Sequence, residues 1–100
     1  MNEPLLSTLG NDPDLGELVD DYVAGLAGRI ADIERAATAG DLPRTEVLAH
    51  QMVGSAGMHG FRTIGDAARV VEEAAAAGDG ARVTTSVREL AALCARARAR

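Results

Sequence analysis

Apolar residues recur along this chain at three- and four-residue steps, the spacing of helices that bury one face. No Val/Ile/Thr-rich run alternates with polar positions as a half-buried strand would. Between residues 12 and 39, Leu15, Leu18, Val19, Tyr22, Val23, Leu26, Ile30 and Ile33 make one stripe, and Asp20, Asp21, Arg29, Asp32 and Arg35 take the other side. Asp12 is placed to cap this long helix, Pro13 to occupy its first position, Asp14 and Glu17 to face its positive end, and Gly40 to close it. Ahead of it, residues 4–9 predict a short helix, with Pro4 at the start and Gly10-Asn11 behind, too short to stand alone. A third helix starts at Asp41 or Leu42, carries Pro43 in its first turn and reaches the glycines at 57 and 60. A fourth covers residues 61–77 with Phe61, Ile64, Ala68, Val71 and Ala75 on one face, and stops at Gly78-Asp79-Gly80. A fifth runs from residue 81 to the C-terminus, buried through Val83, Val87, Leu90, Cys94 and Ala97. The expected architecture is all-α: an antiparallel four-helix bundle with a short additional N-terminal helix, in which residues 1–100 form a single domain.

Composition narrows the core and the partners. Hydrophobic residues are 47% of the chain but aromatics only 2%, so the core is aliphatic and rich in Ala, a helix former. A formal charge of -5 argues against a nucleic-acid partner. All ten basic residues are Arg, which removes lysine Schiff-base and P-loop chemistry. The single Cys94 can neither close an internal disulfide nor build a thiolate metal site, and reads as a buried thiol in a reducing compartment. No basic start with an apolar run marks a signal peptide, and no stretch nears the roughly 18 apolar residues of a membrane span. A soluble cytoplasmic protein without membrane contact is expected, with a monomer as the simpler assumption.

One segment departs from what helix stability would choose. Gly54 and Gly57 interrupt an otherwise good helix at a cost of about 1 kcal/mol each relative to Ala. Gly54 stands one turn beyond His50 on the same face, so the space above the imidazole is open. With Leu48, Met52 and Ser55-Ala56 continuing the core stripe, His50 turns outward beside Val47, Val53, Gly54 and Gly57, an arrangement suited to docking. A histidine of ordinary acidity is partly neutral at pH 7, and one ring nitrogen can attack phosphorus without another base.

The run His50-Gln51-Met52-Val53-Gly54-Ser55-Ala56-Gly57, followed by Gly60-Phe61, resembles the signature of the histidine-containing phosphotransfer (HPt) family. The resemblance extends to Ser7-Thr8-Leu9 with Asp12-Pro13, to the link Ala39-Gly40-Asp41-Leu42, and to Ala67-Ala68 through Glu72-Glu73. It implies a four-helix bundle that carries a phosphoryl group on His50 and exchanges it with an aspartate of a response-regulator receiver domain, within a relay that a sensor histidine kinase feeds. It further implies that Gly54 and Gln51 give the receiver access to the phosphate, that Val47, Val53 and Gly57 belong to the docking surface, and that no cofactor is bound, Mg²⁺ arriving with the receiver. Such a domain is a carrier with no autonomous kinase activity. In one respect the sequence departs from the family: Val53 stands where a Lys usually steadies the phosphoryl oxygens. Arg44, Arg62 and Arg69 are the candidates to supply that charge, and helical phase alone does not choose among them. The alternative reading is a degenerate HPt-like adaptor that docks a receiver or kinase without transfer.

Other chemistry-bearing residues read as structural. His59, at the end of the histidine helix, is expected to cap or pack, and lies about 13 Å along the axis from His50, too far to share a metal. Tyr22 is expected in the core with its hydroxyl reaching the surface, and Ser55 as helix packing. Asp20-Asp21 and Glu72-Glu73 are expected as solvated faces, and the arginines at 96, 98 and 100 as complements to the last helix's negative pole.

Overall fold

In a computed structural model that describes residues 3–100, four helices follow one another: α1 (Gly16–Thr38), α2 (Leu42–Met58), α3 (Arg62–Ala76) and α4 (Gly80–Arg96). Two-residue strands flank them, β1 (Leu5–Leu6) and β2 (Ala97–Arg98), paired in parallel with Leu5 opposite Ala97. Each helix packs on its sequence neighbours and α4 closes the ring on α1, as in an up-down-up-down bundle.

The connections are short because the same dipeptide stops one helix and starts the next. Gly40 and Gly78 both take φ of +72°, a left-handed conformation in which an L side chain is strained. In each case the following amide reaches back to close the helix, Asp41 N–H to the Ala36 carbonyl and Asp79 N–H to that of Ala74, both at 3.0 Å. The same aspartates then turn their carboxylates to the next helix, accepting from the Arg44 and Arg82 amides at 3.1 Å.

The core is aliphatic, as the composition requires. Val19, Tyr22, Leu26, Ile30 and Ile33 from α1 meet Ala49, Met52 and Ala56 from α2, Phe61 and Ile64, Ala68, Val71 and Ala75 at and within α3, and Val83, Val87, Leu90 and Cys94 from α4. Leu18, expected in the α1 stripe, is 55% exposed, and Leu15 stands at the rim. Leu15 stands just before α1 and Leu18 in its first turn.

Three expectations at the ends need correction. Residues 4–9 form no helix: Leu5–Leu6 extends along the chain's other end, where the Ser7 amide donates to the Arg98 carbonyl at 3.1 Å. A single isolated turn could not hold itself, whereas pairing satisfies its backbone from across the molecule. Asp12 does cap, accepting from the Asp14 and Leu15 amides at 2.8 and 3.0 Å, but it caps a turn that leads into α1, which begins only at Gly16. The last helix ends at Arg96 rather than at the C-terminus, because Ala97 turns extended (φ −66°, ψ 134°). From there Ala97 and Ala99 are buried while Arg98 and Arg100 are exposed, a two-residue alternation that the sequence Arg-Ala-Arg-Ala-Arg already spells.

Candidate functional site

Helix α2 buries Thr45, Ala49, Met52 and Ala56, a stripe at steps of four, three and four. This stripe is rotated slightly from the expected one: Leu48 and Ser55 are half-buried at its edge, and Ala49 and Thr45 lie at its centre. His50, next to Ala49, therefore leaves the core at the seam between α2 and α3, with 72% of its side chain exposed.

Across that seam stands Glu72 of α3. His50 Nδ1 lies 2.7 Å from Glu72 Oε2. A carboxylate can only accept, so the hydrogen of this contact sits on Nδ1, and a neutral ring so held keeps its lone pair on Nε2. Glu72 is the functional residue that sequence reasoning missed, having assigned it to a solvated face. Its side chain is only 25% exposed, held beside buried Val71. What brings it to His50 is the close approach of α2 and α3: Gly65 is buried, and a methyl group there would already lie 3.4 Å from the Val53 carbonyl oxygen.

Around His50 the surface is low. Gly54 and Gly57 are exposed, and a Cβ on either would meet open space. Gln51 is exposed beside the imidazole's helix turn, and Val47 is 51% exposed one turn before it. Val53 is half-buried against the core at the α2/α3 seam, so it contributes an edge to the expected docking face rather than a freely exposed side chain. Met58, not singled out by the sequence pattern, is 78% exposed at the end of the same helix and extends the apolar area.

The other candidates separate cleanly from this site. His59 is the C-cap of α2, its ring stacked on Tyr22 at 4.1 Å between centroids and its Nδ1–H donating to the Ser55 carbonyl at 2.6 Å. Tyr22 OH and Ser55 Oγ share a hydrogen bond of 2.7 Å, and the Arg29 guanidinium covers the phenol ring at 5.2 Å. Burial pushes the Tyr22 phenol up from its usual range, and pushes the Cys94 thiol up to about 11, so both are protonated and unreactive at neutral pH. No helix among the described residues is long and apolar enough to cross a membrane.

The site thus consists of one exposed histidine held by a carboxylate at Nδ1, on a helix whose two exposed glycines leave the surface low. The chain matches the Hpt domain family over residues 17–100 and belongs to that family, whose role is phosphotransfer in two-component phosphorelays with receiver and kinase partners. Comparison with curated proteins and with solved structures returns no match.

Proposed function

We propose that this protein is a phosphoryl carrier that accepts its group on His50 Nε2 from the aspartyl phosphate of a response-regulator receiver and returns it to such an aspartate. The observation that carries this reading is the 2.7 Å contact between His50 Nδ1 and Glu72, on a ring that is otherwise open to solvent. In the forward step the Nε2 lone pair forms the N–P bond as the acyl phosphate P–O bond breaks and the aspartate leaves as a carboxylate. The ring becomes positively charged, and that charge faces Glu72. Little covalent work is asked of the bundle, since phosphoryl transfer depends chiefly on positioning and on charge neutralisation. The receiver brings the Mg²⁺ and its acidic pocket. Gly54 and Gln51 leave room for that pocket to close over the imidazole, while Val47, Gly57 and the edge of Val53 form the apolar contact. The carrier works as a monomer in the cytoplasm, fed through a sensor kinase.

The test is to mix the protein with receiver domains prephosphorylated on aspartate, with Mg²⁺, and to follow intact mass and acid-labile phosphate. Wild type gains acid-labile phosphate and His50→Gln gains none while keeping its helicity. Phosphate on His50→Gln overturns the assignment. A receiver that binds but never transfers points instead to an adaptor, the reading that the apolar Val53 beside the histidine favours.

A further inference from the structure

A phosphoryl group on His50 brings negative charge and three acceptor oxygens to a spot that already faces the Glu72 carboxylate. A cation of the bundle's own would offset that charge whenever no receiver is docked, and α2 supplies none next to His50, where the neighbours are Gln51, Val53 and Gly54. Arg44 lies in the first turn of α2, six residues before His50 and about 9 Å along the axis. Arg29 is engaged over the Tyr22 ring. Arg62 opens α3 and lies 3.9 Å from Asp66. Arg69 is exposed, and among the described residues no carboxylate lies within ion-pair distance of it.

Its position follows from two fixed points on the α2/α3 seam. Glu72 meets His50, while Gly65 faces the Val53 carbonyl and the Gly57 amide. Arg69 lies between these two levels, beside the turn of α2 that begins at Val53 and Gly54. It is three residues before Glu72, about 4.5 Å lower along α3 and about 60° around it, on the more exposed flank. A long arginine stem rooted there can run along the seam and present its planar fork to oxygens above Nε2.

We propose that Arg69 is the phosphate-binding cation of this site, acting from α3 where α2 offers only Val53. This rests on the reading of His50 as the phosphoryl acceptor. In loading, the N–P bond forms at Nε2, the ring keeps its Nδ1 proton toward Glu72, and the guanidinium of Arg69 takes the phosphoryl oxygens by charge-assisted hydrogen bonds. Glu72 and Arg69 thus divide the work, one facing the ring and the other the group it carries.

The experiment loads the full chain with phosphoramidate, whose own P–N bond breaks to release ammonia with a proton from solvent, so that no receiver is needed. Initial rates of acid-labile phosphate are compared for wild type, Arg69→Gln, Arg69→Lys and Arg62→Gln, with helicity checked by circular dichroism. The Arg69→Gln protein loads about fivefold more slowly, the scale of one solvent-exposed charge contact. Arg69→Lys recovers most of the rate, Arg62→Gln matches wild type, and the Arg69 Nε–H resonance shifts when His50 is loaded. Equal rates for wild type and Arg69→Gln, with an unmoved Arg69 resonance, overturn the role of Arg69 and leave the carrier intact. A wild type that never takes up phosphate overturns both.

Discussion

The chemistry proposed for this site depends on which ring nitrogen of a single histidine carries the hydrogen. Glu72 decides that by accepting from Nδ1 at 2.7 Å, and the decision is cheap to make on a surface because it needs one hydrogen bond and no burial of the histidine. Replacing Glu72 by Ala frees the ring to exchange tautomers and turn. Nitrogen-15 spectra of the imidazole then show a mixture in place of one Nδ1-protonated form, and phosphoramidate loading slows about fivefold. Glu72→Gln removes the charge and leaves the tautomer unfixed, since its amide can accept from an Nδ1–H or donate to a bare Nδ1: its spectrum also shows a mixture. An Ala variant whose spectrum is unchanged would show that Glu72 does not set the tautomer. Sequence singled out His50 through an outward imidazole among glycines and the likeness of that run to a family signature, and the structure places it on the surface. Sequence could not locate Glu72, because 22 residues separate the two and only the docking of α3 on α2 brings them together.

At the scale of the element, α2 gives up intrinsic stability for an open surface. Gly54 lies in mid-helix with nothing within 4 Å of where an added methyl group would stand, so packing gives no reason for glycine there. Gly54→Ala therefore raises stability by about 0.5–1 kcal/mol, read as a higher urea midpoint with an unchanged slope. Gly54→Gln keeps the helix and still loads from phosphoramidate, but loses transfer from a phosphorylated receiver, because only the macromolecule needs the low surface. Unaltered transfer in Gly54→Gln would mean that the receiver approaches from elsewhere. The helix limits at the α1/α2 and α3/α4 links were legible for a local reason: Gly40-Asp41 and Gly78-Asp79 carry both the stop and the cap in adjacent residues. The exact facing of α2 was less so, since alanines count weakly in a hydrophobic stripe and the fully buried Ala49 was outweighed by Leu48.

The whole molecule is closed at the end away from the Gly40 and Gly78 turns by its two termini, a feature no helical period could announce. Leu5–Leu6 pairs with Ala97–Arg98, Thr8 N–H reaches the Gly60 carbonyl at 3.0 Å, and Ser7 Oγ donates to the His59 carbonyl at 2.6 Å, so the clasp also seats the end of the histidine helix. Arg100 completes it, donating to the Gly10 carbonyl at 2.7 Å and pairing with Asp20 at 2.9 Å. The tightest point is Gly10, where a Cβ would fall 1.5 Å from the Ala99 carbonyl oxygen. Both partners are backbone, so a methyl group cannot be absorbed by a side-chain rotation and the two segments must part. Gly10→Ala accordingly costs about 2 kcal/mol and lowers Tm by roughly 10 °C. Amide exchange localises the damage: protection falls at Ser7 and Thr8 while the centres of α2 and α3 keep theirs, because the α2/α3 seam that joins His50 to Glu72 makes no use of Gly10. For the same reason phosphoramidate loading of His50 survives the change well below the lowered Tm. A Gly10→Ala protein with wild-type Tm and protection would mean that the termini do not hold the bundle closed.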